Sequence, residues 1–182
     1  MLRWSLNIAA SLLITILGYD SLAQSQPKPQ IEVIVFLGSE CPISQKYMSR
    51  LNDIATKYNA SIKWTGIIPE DVKASVVKKF AEEYKAKFPI KKDDSFNLVR
   101  KYQAEITPEV FVVVQGKVKY KGAIDNWFYE LGRYRTETTE HYLVNALTAI
   151  LKGEEPALKE TEPIGCLIEV PSSEKIVAPH QH

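Results

Sequence analysis

An α/β domain is the fold class the sequence predicts, and three observations predict it. Ile31 to Leu37 is a β-branched run closed by Gly38, apolar residues then recur at helical spacing, and Gln115-Gly116 joins two strand-like runs late in the chain. Their order implies a central mixed sheet, with right-handed crossovers between parallel strands and helices on both faces. With 182 residues, 45% of them hydrophobic, the chain is long enough for one buried core. Its 23 basic and 22 acidic residues leave a net charge of +1, which excludes a nucleic-acid footprint by charge.

The first 23 residues read as an export signal. Arg3 supplies positive charge, Leu6 to Leu17 is almost wholly apolar, and Ser21-Leu22-Ala23 is a small-x-small cleavage site. The apolar run is shorter than the ~20 residues of a membrane span, so no membrane association is expected after cleavage. The protein is expected to be exported, periplasmic or extracellular, in a compartment that permits disulfides. Residues 24–30 form a polar leader, 31–152 the domain, and 153–182 an extended C-terminal extension that carries Cys166.

Within the domain, Ile43, Tyr47, Met48, Leu51, Ile54, Ala55 and Tyr58 predict a helix from Pro42 to about Asn59. Ser61 to Ile68 reads as a strand. Pro69 ends it, and Asp71 is placed to cap a helix whose Val72, Val76, Val77, Phe80, Ala81, Tyr84 and Phe88 share a face. Phe88-Pro89-Ile90 is a short connector, and Ser95 to Tyr102 a brief helix. Glu109 to Val114 and Lys117 to Tyr120 form the hairpin. Trp127 to Arg135 reads as an aromatic loop, followed by a helix from about Glu137 to Lys152 with Glu137 and Glu140 in its first turn.

Cys41 is the leading candidate for chemistry. It ends the first strand segment and starts the first helix, with Pro42 at the first helical position, which seats the sulfur at the N-cap. Unpaired backbone N–H groups and the positive end of the helix dipole favour thiolate there. Ser44, one turn on, is placed to hydrogen-bond the sulfur. No second thiol lies in Cys41-Pro42-Ile43-Ser44, so the second half of an exchange falls to Cys166, to a substrate thiol or to a small thiol. A permanent Cys41–Cys166 bridge is the competing account of the two cysteines. His141 reads as a surface or packing residue, His180 and His182 as part of a tail, and Asp125 as a turn or cap.

Glu40-Cys41-Pro42-Ile43, Thr107-Pro108-Glu109-Val110-Phe111, Tyr120-Lys121-Gly122-Ala123-Ile124-Asp125 and the late Gly165-Cys166 occur in that order. Together they resemble exported thioredoxin-like redoxins of the alkyl hydroperoxide reductase/thiol-specific antioxidant superfamily, over residues 31 to 168. The resemblance implies a thioredoxin-like fold, a cis Pro108, and a groove in which Pro42, Thr107 and Pro108 meet substrate beside Cys41. It implies thiol-disulfide oxidoreduction by Cys41 with Cys166 resolving, with protein or small-molecule thiols and disulfides as partners and an external thiol as electron donor. No cofactor and no metal are expected, because Ser44 breaks the paired-cysteine pattern of copper-delivery relatives. The same serine replaces the second cysteine of thioredoxins, and Gly38 stands where peroxiredoxins usually have Thr or Ser. A thiol peroxidase and a non-catalytic binding module with a structural disulfide are the alternatives.

Overall fold

The computed structural model describes residues 30–171; the segment read as an export signal, nearly all of the stretch read as a leader, and His180 and His182 lie outside the described residues. Five strands form the main sheet in the order β3-β2-β1-β5-β6: β1 (Ile31–Phe36), β2 (Ile62–Ile68), β3 (Ile90–Lys92), β5 (Glu109–Val114) and β6 (Lys117–Gly122). β1 runs parallel to β2 and antiparallel to β5, so the sheet is mixed as expected. Four helices accompany it: α1 (Pro42–Tyr58), α2 (Ala74–Glu83), α3 (Asn97–Tyr102) and α4 (Tyr142–Leu151). Three short strands complete the described elements besides β4 (Ile106–Thr107): β7 (Phe128–Glu130), β8 (Arg133–Tyr134) and β9 (Cys166–Leu167).

β1 is central and covered on both sides, which is why it reads as an unbroken apolar run. Val33 and Val35 face a core built with Tyr47, Met48 and Leu51 of α1, Phe80 of α2 and Leu143 and Leu147 of α4. Ile34 and Phe36 face the other core, with Val99 of α3 and Phe111 and Val113 of β5. Helices therefore cover both faces, three on one side and α3 on the other. Among the described residues no helix is long and apolar enough to cross a membrane.

Several expected boundaries move. Lys73, not Asp71, occupies the N-cap of α2, and that helix ends before Phe88, which is buried from the loop beyond it. The stretch expected as a connector contains β3, because Ile90 to Lys92 pairs with Gly66 to Ile68 at the sheet edge. The aromatic loop folds into the β7–β8 hairpin, turning at Gly132 with φ +74°. α4 starts at Tyr142, so Glu137 and Glu140 are not in its first turn. The segment before it is held instead by Asn126, whose side-chain carbonyl accepts from the N–H groups of Thr139 and Glu140, each at 3.1 Å. His141, the N-cap of α4, is exposed.

Asp125 does more than turn the chain. Its carboxylate accepts from the Trp127 N–H at 2.8 Å, from the Tyr47 hydroxyl at 2.7 Å and from Arg50 at 2.8 Å. The Arg50 guanidinium lies 4.1 Å from the Trp127 ring centre, so α1 and the aromatic hairpin are joined at a buried charge. Burial, then the neighbouring carboxylate, pushes the Tyr47 phenol above its ordinary range, keeping it a proton donor.

Candidate active site

Cys41 is the N-cap of α1, with φ −76° and ψ 112°, and Pro42 follows in the first turn. The extended conformation suits a residue before proline, and it turns the sulfur toward the open end of the helix. The side chain is 5% exposed. Burial alone raises its pKa, but hydrogen bonds from the Cys166 thiol, from the Ser44 N–H and hydroxyl, and from Thr107 outweigh burial and hold it below the usual thiol value. Ser44 is fully buried, and its hydroxyl oxygen also accepts from the Gly38 N–H at 3.1 Å, tying the strand exit to the first turn of α1.

Thr107 and Pro108 face this sulfur. The bond between them is cis, as the resemblance implied, and the Thr107 carbonyl lies 3.2 Å from Cys41 Sγ, in position to accept from the protonated thiol. The Thr107 hydroxyl fills the space beside Gly38: a Cβ at position 38 would stand 2.8 Å from Thr107 Oγ1 and 2.7 Å from Cys41 Cβ. A hydroxyl residue, usual at this position in peroxiredoxins, would have to displace Cys41 or Thr107 here.

Cys166 is brought to the same place. The extension forms β9, antiparallel to β4, with Thr107 opposite Cys166 and Ile106 opposite Leu167. The two sulfurs are 2.7 Å apart, with Cys166 placed to donate to Cys41. Burial, then the hydrogen bond to Cys41, pushes the Cys166 thiol up to about 12, so Cys41 is the thiol of the pair that ionises first. The six site residues read from the sequence, Cys41, Cys166, Ser44, Thr107, Pro108 and Pro42, thus converge on one end of the sheet.

The sequence reading missed how the extension is fastened. Thr161 Oγ1 is 2.6 Å from the Tyr120 hydroxyl and accepts from the Ala123 N–H at 3.0 Å. Lys121 N–H donates to the Lys159 carbonyl at 3.0 Å, and Thr161 N–H to the Lys121 carbonyl at 3.1 Å. Gly122, at φ +125°, permits that approach, since a Cβ there would fall 1.9 Å from the Thr161 carbonyl oxygen. The recognisable signal was Gly122 itself, in a hairpin strand whose neighbours carry side chains.

Two clefts flank the sulfurs. One, of about 510 Å³, includes Cys41, Cys166 and Phe96, and its ionisable lining besides the cysteines is acidic: Glu40, Glu70, Asp71 and Glu169. Glu70 also accepts from the Ser39 N–H at 2.6 Å, buttressing the loop before Cys41. The other, of about 230 Å³, is apolar and lies between Cys166, Pro42 and Ile43 on one side and Phe128, Leu131 and Tyr134 of the aromatic hairpin on the other. Among the described residues no cluster of three or more His, Cys, Asp and Glu side chains is arranged for a metal.

No curated protein matches the chain in sequence. Among solved structures it is similar to an uncharacterised conserved protein of Geobacillus kaustophilus, at 25% identity and TM-score 0.69 over 80% of this chain and 81% of that one. It is similar also to a hypothetical protein of Sinorhizobium meliloti 1021, at 23% identity and TM-score 0.68 over 78% and 80%. A thioredoxin-like protein solved in its oxidized form matches at 16% identity and TM-score 0.53, over 69% of this chain and 80% of that one. The fold is therefore thioredoxin-like. The model of the AhpC/TSA family matches residues 19–121, more than half of the chain and ending before the extension that carries Cys166. By that match, around a cysteine at the first helix start facing a cis-proline loop, the chain is a thioredoxin-like redoxin and belongs to the AhpC/TSA family.

Proposed function

We propose that the protein is an exported thiol-disulfide oxidoreductase in which Cys41 is the nucleophile and Cys166 the resolving thiol. The observation that carries this reading is the 2.7 Å approach of the two sulfurs at the start of α1. The Cys41 thiolate attacks one sulfur of a substrate disulfide. A Cys41–substrate bond forms, the substrate S–S bond breaks, and the released sulfur leaves with the electron pair and takes a proton. Cys166, deprotonated as it attacks, then displaces the second substrate thiol from Cys41, leaving an oxidised Cys41–Cys166 pair and a reduced substrate. An external dithiol, or two molecules of a monothiol, returns the pair to thiols and is itself oxidised.

Residues 31–152 serve as the redox domain and 153–182 as the extension that delivers Cys166. Pro42, Thr107 and Pro108 line the substrate groove, and Ser44 steadies the Cys41 thiolate. Only four residues separate Cys166 from the Thr161 anchor, a span of at most about 18 Å. The resolving thiol therefore returns to Cys41 as an intramolecular partner at high effective concentration. The signal-like first 23 residues support a location outside the cytoplasm.

Family membership favours a second reading, a thiol peroxidase in which peroxide oxidises Cys41 to a sulfenic acid and Cys166 condenses with it, releasing water. The crowded Gly38 position counts against it. Reduction of a polypeptide disulfide under dithiothreitol, run beside hydrogen peroxide consumption, separates the two. The exchange reading expects the first activity to exceed the second and to vanish in Cys41→Ser; peroxide turnover that dominates would reverse the assignment.

A further inference from the structure

Deepening the exchange reading, on which it rests, one contact constrains what the groove accepts. β4 pairs with β9 in a sheet of two strands. A substrate strand that brings a cysteine to Cys41 along Thr107 must take the same edge, so it replaces β9. The chain's own Ile164-Gly165-Cys166-Leu167-Ile168 is then the template for what fits.

The template is tight on one side of its cysteine only. A Cβ on Gly165 would lie 2.0 Å from the Thr107 carbonyl oxygen, 2.7 Å from the Thr107 carbonyl carbon and 2.9 Å from Ile106 Cγ2. Two of those three atoms are backbone, so no rotamer change relieves the contact. Thr107 has little freedom to retreat, being buried and in contact with both cysteines. On the other side, Leu167 is 77% exposed and sets no comparable limit.

We propose that the seat filled by β9 selects, in a polypeptide disulfide, a cysteine that directly follows a glycine in an extended segment. The residue after the cysteine is free to vary. Small uncharged disulfides, which need no strand pairing, escape this requirement. The closed arm and the substrate compete for one seat, so the arm must lift about Thr161 before a polypeptide enters.

The test uses the Cys166→Ser chain and pentapeptides Ile-X-Cys-Leu-Ile, with X as Gly, Ala or Val, each cysteine joined by a disulfide to thionitrobenzoate. Cys41 attacks the peptide sulfur, a Cys41–peptide disulfide forms, and thionitrobenzoate leaves with the electron pair as a coloured thiolate. Rates are divided by those of the same peptides with dithiothreitol. The glycine peptide is expected to react at least about ten-fold faster than the alanine peptide, and valine slower still. Replacing the following Leu by Ala or Lys changes the rate less than about three-fold, as an exposed position requires. Equal rates for the three X residues overturn the inference.

If dithiothreitol releases the chromophore from every peptide and the folded protein from none, the exchange reading fails and takes this inference with it. In the intact chain, Gly165→Ala supplies an independent measure. Its Cys41–Cys166 disulfide is expected to be reduced by dithiothreitol at equilibrium at least about ten-fold more readily than the parent's. An unaltered equilibrium in a folded Gly165→Ala chain likewise overturns the inference.

Discussion

Thr107 stands opposite Cys166 in the β4–β9 ladder while its carbonyl lies 3.2 Å from Cys41 Sγ. One residue thus aligns both sulfurs, and its hydroxyl, 3.4 Å from the Cys166 carbonyl, adds a weak tie to the arm. The nucleophile is fixed by regular structure, at the junction of strand and helix. Its partner is held by two residue pairs and the Ile168 N–H to Glu105 carbonyl bond at 2.8 Å, few enough to break and remake in each cycle.

Alkylation of the reduced protein by iodoacetamide reports the thiolate of Cys41, because Cys166, pushed up to about 12, stays protonated through neutral and mildly basic pH. The rate is expected to rise with pH and level off around an inflection below the ordinary thiol value of 9.0. Cys166→Ala and Ser44→Ala each remove a donor to the sulfur and move the inflection upward. Stability of the reduced fold is expected to rise with pH up to the unfolded thiol value, as Cys41 ionises more easily folded than unfolded, and to fall above it, where the raised Cys166 thiol ionises more easily in the unfolded chain. Chemical denaturation of the reduced protein across this range checks it.

Thr161→Val removes the hydroxyl that accepts from Ala123 and meets Tyr120, while preserving shape. It leaves the Ala123 amide without that acceptor, while the Tyr120 hydroxyl keeps its bond to the Ala123 carbonyl, so unfolding in urea is expected to become easier by about 1–3 kcal/mol. The Cys41–Cys166 disulfide becomes easier to reduce, because the arm is less firmly anchored. Thr161→Ser restores both; a dithiothreitol equilibrium identical in all three chains would show that Thr161 does not anchor the arm.

Gly38→Ser forces a Cβ into the 2.7 and 2.8 Å contacts with Cys41 and Thr107. Stability in urea is expected to fall by about 1–3 kcal/mol, with slower attack by Cys41 on a small disulfide. A gain in peroxide consumption by this variant would show instead that the glycine suppresses a latent peroxidase.

Tyr47→Phe deletes a hydrogen bond to the buried carboxylate of Asp125. A loss of about 1.5–3 kcal/mol is expected, measured by urea denaturation. The exchange rate should change little, since the network joins α1 to the aromatic hairpin and does not touch the sulfurs.

Elements with strong periodicity were legible in the sequence. β1 declares itself because both faces are apolar, and α1 because Ile43, Tyr47, Met48, Leu51 and Ala55 are buried along one stripe. The N-cap seat of Cys41 followed from local rules about proline. What lay beyond reach depended on distant partners. α4 starts late because Asn126 ties down the backbone of residues 139–140, a contact that no local propensity announces. β3 is three residues of edge strand whose identity comes from pairing with β2. The extension was readable as extended, but its register against Thr107 depends on Gly122 and Gly165, where close backbone approach leaves no periodic trace.

Whether Cys41 attacks and Cys166 resolves is decided by intact mass after the reduced protein meets a peptide disulfide. Cys166→Ser is expected to gain the mass of one peptide thiol on Cys41 and keep it. The parent chain should instead lose two hydrogens, hold no peptide, and yield a Cys41–Cys166 linked fragment on digestion, while Cys41→Ser should remain unmodified at Cys166. A Cys41→Ser chain that reacts as fast as the parent, or a parent chain that retains the peptide, would overturn both assignments.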